Sequence, residues 1–143
     1  MPRVEFVGVW RLQSMEVHSR DGKSTYPFGE DASGYICYTK EGFMSVSIMR
    51  RERGQYSSND YLGGTIDERA AAAHGYLSYC GPYETTEDRV IHHVEMSLFP
   101  NWIGQDLVRF YRFDGDRLFL TTDPFVIDGN EQIARLVWRR KQT

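Results

Sequence analysis

Cysteine is scarce in this chain: Cys37 and Cys80 are the only two among 143 residues, and they stand in no CxxC spacing. That leaves at most one disulfide and rules out a thiolate-rich zinc scaffold; each cysteine sits in an apolar setting that suits a small buried hydrophobe. Positive charge is not in excess either. Seventeen Lys and Arg face twenty Asp and Glu for a net charge of -3, and the only local basic run, Arg139 to Lys141, closes the chain. There is no basic stripe for a phosphate backbone, so nucleic acid is not expected as a partner. Long apolar runs are missing as well: the opening MPRVEFVGVW holds no signal-peptide core, and no segment approaches the roughly 18 apolar residues of a membrane helix. The expectation is a cytoplasmic protein without a membrane partner. No Gly-x-Ser-x-Gly occurs, and Gly63-Gly64 has neither a strand before it nor a Lys after it, so neither an activated serine nor a phosphate loop is supported.

What is present is aromatic side chains, 14% of the chain with nine tyrosines, and alternation of period two. Such alternation marks strands with one face in a core. It runs over Gly8–His18, Gly34–Thr39 and Phe43–Arg50, the last two joined by a turn at Glu41-Gly42. Residues 51–64 are polar and aperiodic, and read as a loop. Thr65-Ile66-Asp67-Glu68 forms a capping box that opens the one expected helix, with Ile66, Ala70, Ala73 and Leu77 on one stripe, Tyr76 and Cys80 beside it, and a stop at Gly81-Pro82. Strands are expected again over Tyr83–Thr86, Arg89–Leu98, Asp106–Phe113, Arg117–Thr122 and Gln132–Arg140. About eight strands joined mainly by short turns, in one domain spanning residues 1–143, describe an all-β, up-and-down antiparallel barrel with a helix between the third and fourth strands covering one opening.

Parity assigns the interior. The apolar faces put Trp10 and Leu12, Ile36 and Tyr38, Met44, Val46 and Ile48, then Leu118, Leu120, Leu136 and Trp138 inside. In the fifth expected strand Val90, His92, Val94, Met96 and Leu98 share the apolar face, so His92 points inward and His93 outward. In the sixth, Leu107, Arg109, Tyr111 and Phe113 are the inward series. The mix of aliphatic wall and few polar groups is that of a small-molecule pocket. Its expected ligand contacts are Tyr38, Met44, Val46, Tyr79, His92, Val94, Met96, Trp102, Arg109, Tyr111 and Trp138, with Glu16 and Arg50 near the rims and Tyr79 gating from the helix.

Two chemistries fit that set. A binder would use the polar groups to orient the acceptor or acid end of a small hydrophobic molecule. A cofactor-free isomerase, cyclase or dehydratase of a polyketide-like or terpenoid substrate would use His92 as proton shuttle, Tyr38 or Tyr111 as donor and Arg109 as anion holder. A third reading is a filled barrel, in which Arg109 meets a carboxylate and His92 a backbone carbonyl, serving as an interaction module through a sheet edge or the 51–64 loop. No cofactor is required by any of these. His93 and Glu95 share a face, but two ligands do not make a metal site, and none is assigned. A homodimer is compatible with the composition.

Several segments together resemble the lipocalin-like domain family: GVWRL, YPFGEDASGYICYT, GFMSVSIMR, GYLSYCGPYE, HHVEMSLFPNWIG and GDRLFL. The resemblance covers nearly the whole chain and implies a calycin-type barrel. Gly8-Val9-Trp10 is similar to the lipocalin GxW motif, which implies that Trp10 closes the barrel base beneath Arg139 or Arg140 and is structural. Unlike in secreted lipocalins, neither a signal peptide nor a disulfide framework is expected, and the helix is expected mid-chain. Some lipocalin-like barrels act in secondary metabolism as cyclases or isomerases, an association of fold rather than of site.

Overall fold

A computed structural model describes residues 3–142. Eleven strands appear: β1 (Gly8–Ser19), β2 (Ser24–Thr25), β3 (Ser33–Tyr38), β4 (Phe43–Met49), β5 (Tyr76–Thr85), β6 (Arg89–His93), β7 (Met96–Ser97), β8 (Asp106–Asp114), β9 (Arg117–Thr122), β10 (Phe125–Ile127) and β11 (Asn130–Arg140). The one α-helix, α1 (Ile66–His74), follows β4. Eight strands pair antiparallel in the order β11-β9-β8-β6-β5-β4-β3-β1, and β1 pairs back onto β11 to close the ring. The short strands β2, β7 and β10 attach to its rim. Closure leaves no free edge in the ring itself.

The helix therefore lies one strand later than expected, because Ser24–Thr25 pairs with Val17–His18 as a strand of its own. It is also shorter. Thr65 and Glu68 make the capping box as read, but Gly75 ends the helix, and Tyr76 to Pro82 pair residue for residue with β4. A seven-residue ladder satisfies more backbone groups than another helical turn would, and the Tyr-rich segment suits a strand. Gly81-Pro82 does not stop the chain, since both residues fall in the interval between the β5–β7 and β5–β6 ladders. Tyr79 is thus a wall residue and no helical gate. Nor does the helix bury its stripe: Ile66 is 80% exposed, and none of the helix residues is buried.

Two phase changes alter the interior. Register shifts between Leu12 and Ser14 on β1, so Trp10 and Leu12 face in, and beyond the bulge Met15 and Val17 do. Glu16 is thereby turned outward, where its carboxylate accepts from the Tyr26 hydroxyl at 3.2 Å. The second change divides the expected strand at residues 89–98. Val94 and Glu95 leave the β6 ladder, with Val94 bonded to Gln105 and Gly104 and Glu95 to Cys80. After this break Met96 is 68% exposed, contrary to its expected inward placement, while Leu98 is part of the cavity's exposed rim.

One end of the barrel is packed shut. Phe6 lies 5.0 Å from Tyr38, 4.8 Å from Tyr111 and 5.0 Å from Phe113, all edge-on, a geometry that aromatic quadrupoles favour. Trp10 donates its indole N–H to the Phe6 carbonyl at 2.9 Å. The Arg140 guanidinium covers the Trp10 ring at 4.1 Å and donates to the carbonyls of Val7 at 2.8 Å and Glu5 at 2.6 Å. Of the two arginines considered from sequence, Arg140 makes this cover; Arg139 pairs with Asp116 outside. No helix among the described residues is long and apolar enough to cross a membrane.

Candidate functional site

The other end is open. A cavity of about 1630 Å³, counted with its wide mouth, occupies the barrel above the aromatic floor. Aliphatic residues from several strands, among them Val17, Ile36, Val46, Ile48, Leu120 and Leu136, line its interior, while charged and polar residues such as Arg20, Asp21, Lys23, Asp128 and Glu131 stand at its mouth. Beside them β5, β6 and β8 place Tyr79, His92 and Arg109, and Trp102 enters from the turn that follows β7. Trp102 stands edge-on to Tyr79 at 5.6 Å and to Phe99 at 5.3 Å, which makes the nearby rim aromatic. Arg50 is also at the mouth, where it donates to the Pro27 carbonyl at 2.8 Å.

The polar wall centres on His92, whose exposure is 1%. Its Nε2 lies 2.7 Å from the Tyr38 hydroxyl and its Nδ1 2.8 Å from that of Tyr79. Burial, and after it the charge of Arg109, pushes the imidazole pKa well below its ordinary value, so the ring is neutral. A neutral ring carries one N–H and one bare nitrogen. The Tyr38 hydroxyl is fully buried and has no other partner among the described residues, so satisfying its proton requires that it donate to Nε2. Nδ1–H must then donate to the Tyr79 oxygen. This assignment frees the Tyr79 O–H for the cavity. Desolvation raises the pKa of both tyrosines, against the pull of Arg109, and keeps them protonated.

Arg109 projects from β8 into the cavity wall, half-buried, against the Tyr79 hydroxyl. It donates to its neighbour's carbonyl, Val108 O, at 3.2 Å, and no carboxylate lies within ion-pair distance among the described residues. Neither feature of a filled core is therefore met: Arg109 has no acid, and His92 bonds two phenols instead of a carbonyl.

The expected contact residues divide by level. Val46, Tyr79, His92, Trp102, Arg109 and Trp138 line the cavity. Trp138 is buried, and its indole N–H finds no partner among the described residues. Tyr38 lies behind His92, while Met44 and Val94 are core residues outside the cavity wall. Tyr111 belongs to the closed end, where its hydroxyl reaches the Thr86 and Glu87 carbonyls at 2.7 and 2.8 Å and accepts from Arg3. A hydroxyl so engaged beneath the floor cannot serve a ligand above it. Met96 is outside altogether. Met15 and Val17 were missed, and the signal for them was the shift of apolar residues from even to odd positions after Leu12.

His93 points outward, with Nδ1 2.6 Å from Asp106 and Nε2 3.5 Å from Glu84; the hydrogen bond to Asp106 leads in raising its pKa. No group of three or more metal-ligating side chains that could hold an ion occurs among the described residues.

This arrangement can be set beside known proteins. Over 106 residues, 68% of this chain and 96% of the other, the sequence is 42% identical to the 4'-hydroxy-3'-methoxypropiophenone carrier protein ppsC of Aspergillus oryzae. Among solved structures, a point mutant of the fluorescent protein UnaG aligns over 95% of this chain and 96% of its own at 12% identity, with a TM-score of 0.41. The barrel assignment rests on the strand pairing and not on that likeness. Residues 7–141 match the lipocalin-like domain family as a whole. With the closed eight-stranded ring, that match over nearly the full chain shows that this protein belongs to the lipocalin-like domain family.

Proposed function

We propose that this protein is a carrier that holds one small, mainly apolar molecule, an aryl ketone or a close analogue, with an oxygen of the ligand against Tyr79 and Arg109. The observation that carries the reading is an arginine without a carboxylate, beside a tyrosine with a free proton, on one wall of an open cavity that aliphatic and aromatic side chains also line. Apolar walls supply affinity, and the two donors fix which end of the ligand goes in. The name of the Aspergillus oryzae relative, a carrier of a methoxylated hydroxyphenyl ketone, supports that ligand class.

The competing reading is cofactor-free acid–base catalysis by His92, Tyr38, Arg109 and Tyr111. His92 in its assigned tautomer shows no lone pair to the cavity, and Tyr38 and Tyr111 are occupied elsewhere. A general base must reach the proton it takes. Holding is therefore better supported than turnover. The test is titration of the protein with 4'-hydroxy-3'-methoxypropiophenone, read by quenching of tryptophan fluorescence, since Trp102 and Trp138 both line the cavity. One saturable site per chain and unchanged ligand after prolonged incubation are expected. Absence of saturable binding, or appearance of a new product that His92→Ala abolishes, would overturn the carrier reading.

A further inference from the structure

Arg109 poses a charge problem that a neutral ligand does not solve. The groups facing it are Tyr79 from β5, His92 from β6 and Thr122, its partner on β9, with Tyr38 behind His92. None carries negative charge: both tyrosines keep their protons, and the imidazole is neutral. The carboxylates of the cavity mouth are elsewhere engaged or too distant. Asp106 holds His93, Glu131 lies 3.7 Å from Arg20, Asp21 is bound to Ser19, and neither Asp123 nor Asp128 comes within 4.0 Å of the Arg109 guanidinium. A half-buried cation beside a fixed hydroxyl donor stabilises an anionic oxygen far more than a neutral one.

From this geometry we infer that the cavity takes its ligand as an anion, an acidic phenol held as its phenolate with the charged oxygen between Arg109 and Tyr79. The inference rests on the carrier reading above and adds which end of the ligand enters and in what protonation state. The step is a simple ionisation: the phenol O–H bond breaks, the electron pair stays on oxygen, and the proton leaves to solvent. A phenol bearing an acyl group in the para position is the natural class, because the carbonyl withdraws the charge and makes the O–H more acidic than that of tyrosine. His92 takes no part in the transfer. Its N–H, donated to the Tyr79 oxygen, holds that residue's own proton toward the ligand.

Phenolates absorb at longer wavelength than their phenols, which makes the state readable. With wild-type protein in excess, the absorbance of 4'-hydroxy-3'-methoxypropiophenone is followed through pH, and its affinity is compared with that of its 4'-O-methyl ether, which cannot ionise. The bound phenol is expected to ionise at least one pH unit below the free one, equivalent to a tenfold preference for the anion. The ether should bind at least tenfold more weakly at the same pH. Arg109→Met should abolish the shift, and Arg109→Lys, which keeps the charge, should retain part of it. If phenol and ether bind equally well and the bound phenol titrates as in water, the anion inference fails while the carrier reading stands. If neither ligand binds saturably, the carrier reading fails, and the inference with it.

Discussion

His92 makes the acid stability of this protein calculable. Sealed between Tyr38 and Tyr79, the folded ring resists protonation until well below its ordinary range, whereas in the unfolded chain it takes up a proton near pH 6.5. The unfolded state thus binds the proton first. The stability that His92 contributes is complete above about pH 6.5 and is lost as the pH falls, by roughly 1.4 kcal/mol per unit until the folded pKa is reached. For a ring that stays neutral in the folded state down to pH 5.0, the loss between pH 6.5 and 5.0 is about 2 kcal/mol, a large part of a small domain's stability. The perturbation is His92→Gln, whose shorter amide leaves at least one buried tyrosine hydroxyl unpaired and costs about 1 to 3 kcal/mol at pH 8. Urea unfolding of both proteins in half-unit steps from pH 8 to pH 5 should show the gap between them shrinking by about 2 kcal/mol below pH 6.5. His93 has the opposite sign: its raised pKa means a contribution present below about pH 6.5 and fading as pH rises through the folded value. It is present in both proteins, so its effect cancels in the difference. A gap that stays constant from pH 8 to 5 would refute the sealed, neutral ring, and a gap that widens in acid would mean that the folded ring is charged.

Two further substitutions probe the frame that holds the site. A Cβ on Gly81 would run into the His93 carbonyl oxygen and come within 3.0 Å of the Glu95 amide, both backbone atoms, so Gly81→Ala must force β5 from the segment that carries His92 and His93. A loss above about 3 kcal/mol is expected, and a wild-type urea midpoint would contradict the close crossing. Arg140→Met keeps the stem over Trp10 but removes two charge-assisted bonds and the cation–π contact, for a loss of about 2 to 4 kcal/mol. Because the closed end lies below the cavity floor, ligand affinity per folded molecule should stay unchanged, and a lower affinity would show that the floor is coupled to the site.

The legible parts were those set by local pattern. Period-two alternation marked the eight ring strands because each has one face in a common interior, and the inward His92 and outward His93 follow from adjacency on one strand. Turn chemistry was equally plain: Gly42 takes positive φ in the link between β3 and β4, as the Glu41-Gly42 turn requires. Helix α1 shows the limit. Its capping box is a local signal and was correct, whereas its end depended on whether Tyr76 to Pro82 would find β4, a pairing between segments about thirty residues apart.

Register and closure settled what alternation could not. The bulge on β1 and the break between β6 and β7 each shift the register by one residue relative to the neighbouring strand; this exchanged Glu16 for Met15 and Val17 and turned Met96 out of the barrel. Likewise, Tyr38, Tyr111 and Arg109 are all inward-facing by parity, yet only depth separates them: Tyr111 under the floor, Tyr38 behind the imidazole, Arg109 against the cavity. Depth is a property of strand stagger in the closed ring, which no single strand encodes. Local pattern was therefore enough for a barrel with an inward histidine. It took the closed ring, with its staggered strands, to make that histidine a neutral bridge between two tyrosines and to set into the cavity wall an arginine that has no acid.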